Sequence, residues 1–181
     1  DLAVTMLFWH LRSFPNKKEE AMPMDLGKLE ERLNYKFQDK SLLETALTHR
    51  SYLSEPQGEG KPSNERLEFL GDSVLAMIVN EYIYGIYPDA SEGTLSKMKS
   101  VLVSEAVLSR IASQLQLGAF LFMSKGEEQS GGRERASLLA DAFEALIGAM
   151  YLDSGLTKTR DFLLRELGDE VVAVERGEEG K

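Results

Sequence analysis

Asn64-Glu65-Arg66-Leu67-Glu68-Phe69-Leu70-Gly71-Asp72-Ser73-Val74-Leu75 is the stretch whose reading decides the fold. On a helix of about 3.6 residues per turn, positions three and four apart share a face. Glu65, Glu68 and Asp72 therefore fall on one side, and Leu75 and Val79 continue that side. A face that opens with acids and turns apolar points inward rather than to water. Carboxylates on an inward face cost free energy unless something neutralises them. The plainer alternative is a water-facing charge cluster at a helix start, where acids suit the helix dipole. For any single acid the two readings are equally good.

A second stretch shifts that balance. Ser137-Leu138-Leu139-Ala140-Asp141-Ala142-Phe143-Glu144-Ala145-Leu146-Ile147-Gly148-Ala149-Met150-Tyr151-Leu152 is apolar on all sides, as a buried helix is, and only Asp141 and Glu144 break it. Their spacing puts both on one face, which Gly148 and Leu152 continue. No Lys or Arg lies in this helix to pair with them. The two acid pairs cannot neutralise each other without a cation between them. A hard divalent ion held by oxygens of Glu68, Asp72, Asp141 and Glu144 resolves both problems together. An oxygen-only ligand set selects Mg²⁺, with Mn²⁺ as its substitute, over zinc. Such a site can activate a water and stabilise a leaving oxygen, which is what phosphodiester hydrolysis needs.

The first stretch resembles the signature of the ribonuclease III endonuclease domain. Leu139-Ala140-Asp141-Ala142-Phe143-Glu144-Ala145-Leu146 resembles that family's second acidic motif, and Tyr151-Leu152-Asp153-Ser154-Gly155 resembles the segment just beyond that motif. The resemblance runs from about Leu29 to Leu167 and also covers Ala46-Leu47-Thr48-His49-Arg50-Ser51-Tyr52. It implies an all-α nuclease domain of the bacterial type that cleaves double-stranded RNA to 5′-phosphate and 3′-hydroxyl ends. On the matching positions, Glu68, Asp141 and Glu144 coordinate metal, and Asp72 and Glu144 are tied most directly to the chemical step. Glu65 matches an acid that supports the site or contacts RNA. Glu105 is either an outer acid of the metal site or a charge complementing the dipole of its own helix. Family members dimerise through the signature helix, and Phe69 matches the aromatic residue that enters the partner's pocket; a core Phe of this subunit is the alternative. Resemblance to bacterial members implies ribosomal RNA precursors as substrates, then some messenger and transfer RNA precursors.

Two rivals compete with this reading. A di-iron carboxylate bundle needs Glu-x-x-His pairs, but Gly71 and Ile147 stand where the histidines would be. A non-catalytic relative, acting as an RNA-binding or ribosome-associated structural protein, is expected to have lost acids, and all four are present.

Composition sets the remaining bounds. The 181 residues, 43% hydrophobic and 28% charged, suit one domain with a sizeable core. The net charge of −9 argues against a large basic surface for nucleic acid, so the grip on RNA is expected to be weak and sensitive to salt. The absence of cysteine excludes disulfides and thiolate metal sites and fits a reducing cytoplasm. No apolar run is long enough to span a membrane. No G-x-x-x-x-G-K-[ST] phosphate loop occurs, so a nucleotide cofactor is not expected.

Along the chain, residues 1–23 read as an extension outside the core, 24–167 as the nuclease domain, and 168–181 as a short acidic tail that frays. The residues after Leu167 are too short and too acidic to read as the basic RNA-binding domain of full-length bacterial members. Asp25 is expected to cap a helix to about Leu33, Asp39 the next one, Asn64 the signature helix to about Gly85, and Ser104 a helix to about Leu117 that Gly118 stops. Thr94–Val101 reads as a helix carrying Lys97 and Lys99, which are solvated surface unless they flank the acidic valley, where Lys97 would support the site or contact RNA. Pro56–Pro62 reads as a mobile loop, and Ser124–Ala136 as a flexible one in which Arg133 and Arg135 are either RNA contacts or plain loop residues. His49 reads as a structural hydrogen-bonder rather than a base, because no nucleophile or acid sits beside it in sequence. Thr157 opens a last helix ending at Leu167.

Overall fold

The computed structural model describes residues 25–175. The expected extension at 1–23 and the end of the expected tail lie outside them. Among the described residues eight α-helices run in order: α1 Leu26–Leu33, α2 Lys40–Ala46, α3 Glu65–Ile86, α4 Glu92–Leu102, α5 Glu105–Gln114, α6 Lys125–Gln129, α7 Ala136–Ser154 and α8 Leu156–Glu175. The only β pairing among those residues is a single parallel bridge between Thr48 and Phe122. The all-α expectation holds.

The core is built around α7. Ala142, Phe143, Ala145, Leu146, Ile147, Ala149 and Met150 of that helix are fully buried, which explains its lack of a polar face. α3, α5, α2 and α8 all pack against it, α3 most extensively. α3 contributes Leu75, Ile78, Val79 and Ile83 to the core, so the apolar continuation of its acid face does point inward.

The first two helices are capped as their sequences imply. Asp25 accepts the backbone N–H of Gly27 at 3.1 Å, and Asp39 that of Ser41 at 2.9 Å. Asn34 ends α1 in the left-handed conformation, which asparagine tolerates. A carboxylate from the far end of α7 then holds the α1–α2 connection. Asp153 accepts from the Tyr35 hydroxyl at 2.6 Å and from the backbone N–H groups of Gln38 at 3.1 Å and Asp39 at 2.9 Å. Arg165 of α8 donates to the Leu33 carbonyl at 2.8 Å, closing the end of α1.

Four boundaries differ from the sequence reading. Asn64 is buried at the start of α3 with helical dihedrals and makes no side-chain cap bond; its backbone N–H instead donates to Thr48 O at 2.8 Å. α5 ends at Gln114, and Gln116, not Gly118, takes the left-handed conformation that turns the chain. Residues 124–136 are no slack loop. They form α6 and a 3-10 turn at Gly132–Glu134, because Ser124 caps α6 through the N–H of Glu127, Arg135 pairs with Glu127, and Arg133 is anchored on three acceptors. α8 runs past Leu167 to Glu175, since Val171 is buried in the core and Glu170 pairs with Arg110 of α5.

Candidate metal centre

Close approach of two helices makes the site. A Cβ on Gly71 of α3 would sit 1.8 Å from the Glu144 carbonyl oxygen, and one on Gly148 of α7 would sit 2.3 Å from the Leu67 carbonyl oxygen. Both are far inside van der Waals contact, so α3 and α7 meet backbone to backbone only because both positions are glycine. An isolated glycine inside a helix costs about 1 kcal/mol relative to alanine. Two of them, one in each acid-bearing helix, are a packing signal that sequence reasoning missed. Gly148 is visible on the acid face of its own helix, but its pairing with Gly71 emerges only at the crossing.

That crossing brings Glu68, Asp141 and Glu144 together. One carboxylate oxygen from each lies within 4.8 Å of the others. All three side chains are partly buried. No Lys or Arg forms an ion pair with any of them among the described residues. The electrostatic result is strain on all three. Glu144 is pushed up to about 7, by burial first and then by the charges of Asp72, Glu68 and Asp141. Glu68 is raised by burial, then by Asp141, Glu65 and Asp72. Asp141 is raised by burial and then by the charge of Glu105. Three unpaired oxygen donors that repel one another at this spacing fit a hard divalent cation, which would relieve burial and repulsion together.

The other sequence candidates distribute around this cluster. Asp72 is solvent-exposed one turn along α3 from Glu68 and lies outside the three-carboxylate set, yet its charge is the largest charge effect on Glu144. Glu105 opens α5 and supplies the leading charge effect on Asp141, so it is electrically part of the site. Glu65 is exposed, accepts from Ser63 Oγ at 2.8 Å and pairs loosely with Arg50 at 3.9 Å. Lys97 is exposed on α4, outside the cluster. Arg133 donates through Nη1 to the carbonyls of Gly118 at 2.8 Å and Leu121 at 2.9 Å and through Nε pairs with Glu128 at 2.6 Å, so these two nitrogens hold the chain. Phe69 is 79% exposed, which removes the alternative of a core Phe.

These raised carboxyls make stability depend on pH. A carboxyl whose pKa is raised on folding binds more protons in the native state than in the unfolded one, so stability falls as pH rises between the two values. For Glu144 that window runs from its ordinary value of 4.5 to about 7. Glu68 and Asp141 act in the same direction. Because the Glu144 side chain is partly exposed, the penalty is discounted to about 1–2 kcal/mol. The metal-free protein is expected to melt at a lower temperature at pH 8 than at pH 5.5, and millimolar Mg²⁺ is expected to restore it at pH 8 only. Thermal unfolding in chelator and in Mg²⁺ at both pH values checks this; equal melting temperatures in chelator would contradict it.

Comparison with known proteins agrees with this architecture. The family described as Ribonuclease-III-like matches residues 39–171. A Ribonuclease 3 from Caldanaerobacter subterraneus subsp. tengcongensis is 53% identical over 147 residues, covering 80% of this chain and 64% of that protein. One from Fusobacterium nucleatum is 47% identical, over 83% of this chain and again 64% of the relative. The chain thus spans a little under two thirds of the length of these relatives. Among solved structures, the nuclease domain of ribonuclease III from Campylobacter jejuni, described with flexibility in a region involved in dimer formation, superposes with a TM-score of 0.75. It is 43% identical, and the match covers 80% of this chain and 97% of that domain. With both acidic helices inside the matched residues, the chain belongs to the ribonuclease-III-like family.

Proposed function

We propose that the chain is a divalent-metal-dependent endoribonuclease that hydrolyses double-stranded RNA to 5′-phosphate and 3′-hydroxyl ends. The observation that supports it most is the cluster of Glu68, Asp141 and Glu144, with which no Lys or Arg among the described residues forms an ion pair. In this reading those three residues hold Mg²⁺, or Mn²⁺ in its place, and Asp72 and Glu144 are the carboxylates tied to the chemical step. The bound ion supplies activation of a water and stabilisation of charge on the leaving oxygen. Glu144, the most strongly raised carboxyl, would be held in its ionised form by a cation at this cluster. In this reading Asp72, exposed one turn along α3 from Glu68, would accept a hydrogen bond from a water or a sugar hydroxyl. Glu105 keeps the field at Asp141 negative. By analogy with the bacterial relatives, ribosomal RNA precursors are the first substrates, with some messenger and transfer RNA precursors, in the cytoplasm. No helix of the described residues is long and apolar enough to cross a membrane.

The test is direct. Long duplex RNA incubated with the chain and Mg²⁺ is expected to be cut at low ionic strength, and excess chelator is expected to stop it. Cleavage that survives chelation would overturn the shared-cation argument.

The proposal includes a homodimer through α3. Phe69, Met77 and Tyr84 form an exposed apolar stripe along that helix, with Phe69 and Tyr84 79% and 75% exposed. Phe69 and Tyr84 are about 22 Å apart along the axis at 1.5 Å per residue. Beside Tyr84 lies a shallow cavity of about 260 Å³ lined by Gly85, Tyr87, Pro88, Ala90 and Leu95. An aromatic knob at one end of a helix and a recess at the other suit a two-fold pairing of antiparallel α3 helices, in which each Phe69 faces the other's recess. Phe69→Ala is expected to raise the dimer dissociation constant by at least about a hundredfold, since truncating a buried aromatic costs about 3–5 kcal/mol. Sedimentation of the parent and variant chains at micromolar concentration checks it; a parent that is already monomeric would contradict the dimer.

A further inference from the structure

One ring within electrostatic reach of Asp141 of the acid cluster is fixed through both its backbone and one ring nitrogen. The backbone N–H of His49 donates to Phe122 O at 2.9 Å, and the adjoining Thr48 carbonyl accepts the N–H of Asn64 at the start of α3 at 2.8 Å. The residue is thereby stitched to two elements. Its ring is fixed as well. Nδ1 accepts the backbone N–H of Ser51 at 3.3 Å and lies 2.8 Å from Ser51 Oγ. That hydroxyl oxygen in turn accepts the N–H of Ser124 at 3.0 Å, which leaves its own hydrogen for Nδ1. A ring nitrogen that accepts a backbone N–H carries a lone pair there, so the hydrogen is on Nε2 and the ring is neutral. Burial lowers the ring's pKa, in the same direction.

The Nδ1 side of the ring therefore has the structural role that the sequence suggests, but the Nε2 side has none. Nε2–H makes no hydrogen bond among the described residues. The charges that reach the ring are Glu127, Arg50, Glu65 and Asp141, the last being a member of the cluster itself. An imidazolium here would compete with a metal ion for those carboxylates. A neutral ring does not, yet it still offers a donor to an anion that must approach a negatively charged site.

We propose that His49 Nε2–H donates a hydrogen bond to a non-bridging phosphate oxygen of the RNA backbone beside the acid cluster, with Ser51 as the positioning residue that holds the tautomer. This rests on the nuclease reading above. A neutral donor adds affinity without releasing counterions, which separates it from a Lys or Arg contact.

The experiment uses a short blunt RNA duplex and the Glu144→Gln chain, so that binding is read without cleavage. His49→Asn keeps a side-chain acceptor for the Ser51 N–H, since Asn is a good cap residue, but removes the outward donor. It is expected to weaken binding about 10- to 100-fold, the range of a hydrogen bond to a charged group. The slope of log Kd against log salt is expected to stay unchanged. His49→Gln, whose amide nitrogen reaches further, is expected to recover most of the loss. Unchanged affinity in His49→Asn would overturn the proposal, and so would a salt slope reduced by about one, which would mark a cationic contact. A readout independent of how the variants fold comes from imidazole ¹⁵N spectra, tractable because the chain has only 2 histidines. They are expected to show a protonated Nε2 for His49 whose signal moves on adding duplex. A signal unmoved at saturation would overturn the proposal. A parent chain that cuts duplex RNA while His49→Asn binds like its parent refutes the donor alone, whereas a parent that neither binds nor cuts duplex RNA refutes the nuclease reading and the donor with it.

Discussion

Gly71→Ala is expected to lower the melting temperature by about 4–8 °C or more and to weaken divalent-metal binding in the same protein. The added methyl would lie 1.8 Å from the Glu144 carbonyl oxygen, which is main chain and cannot rotate away. The only relief is to move α3 and α7 apart at the centre of the core. Overpacking of a well-filled core costs about 1–3 kcal/mol, and a collision with backbone at a helix crossing belongs at or above the upper end. Alanine's better helix propensity returns only about 1 kcal/mol of that. In a domain of this size each kcal/mol shifts the melting temperature by about 2–4 °C. The same separation would draw Glu68 away from Asp141 and Glu144, so that stability and metal affinity fall together. Ser73→Ala, on the exposed side of the same helix, serves as the control and is expected to change neither. Calorimetry with and without Mg²⁺ checks both variants; a Gly71→Ala protein that melts within about 2 °C of its parent would show that the two backbones are not in contact.

Glu144→Gln is expected to reduce cleavage of duplex RNA at least about a thousandfold, or about 4 kcal/mol of barrier, while making the metal-free protein more stable at pH 8. The two effects have one origin. Glu144 is the carboxyl on which burial and the charges of Asp72, Glu68 and Asp141 converge. With a cation bound, that concentration of charge is what holds the ion; without one, it is pure repulsion. An amide of the same shape loses the first and escapes the second. The metal-free variant should also lose most of the fall in stability between pH 5.5 and 8, because the group responsible no longer titrates. Single-turnover cleavage and chelator-containing melts on one preparation measure both. A variant that cuts at the parent rate would remove Glu144 from the metal, and one that is destabilised at pH 8 would mean that its carboxylate is satisfied rather than strained.

Much of the fold and the site is legible in the sequence because acids in apolar surroundings are rare and costly. Asp141 and Glu144 stand out in α7 for that reason, and their facing of Glu68 follows from the shared cation that unpaired acids on two inward faces require. The caps of α1 and α2 are legible because an Asp before an apolar stripe has a local role that neighbouring residues cannot change. What sequence reasoning misses depends on residues far apart. Arg133 reads equally well as an RNA contact or a plain loop residue because nothing near it in sequence shows that the Gly118 and Leu121 carbonyls will need a donor. Residues 124–136 read as slack for the same reason, since the Arg135–Glu127 pair that stiffens them is seen only once the chain has folded back. α8 is cut short at Leu167 in the sequence reading because Gly168 looks like a stop, whereas burial of Val171 overrides the cost of one helical glycine. Asp72 groups with the other acids by its place on the helix. The structure leaves it exposed and outside the three-carboxylate group of Glu68, Asp141 and Glu144, so the expectation that it is a fourth member of that group is not met.

The carboxylate of Asp153 reaches across a separation of 118 residues to the Tyr35 hydroxyl, and it also accepts the N–H groups at the entry to α2. During synthesis at about 5–20 residues per second, α1 and α2 are therefore made roughly 6–24 s before the side chain that docks them. Arg165, which closes α1 at the Leu33 carbonyl, comes later still. Through that interval Leu29 and Leu33, fully buried in the finished domain, have no completed core to enter. The N-terminal helices of this domain are therefore made early, and the hydrogen bonds from Asp153 and Arg165 that fasten them come only after α7 and part of α8 have been made.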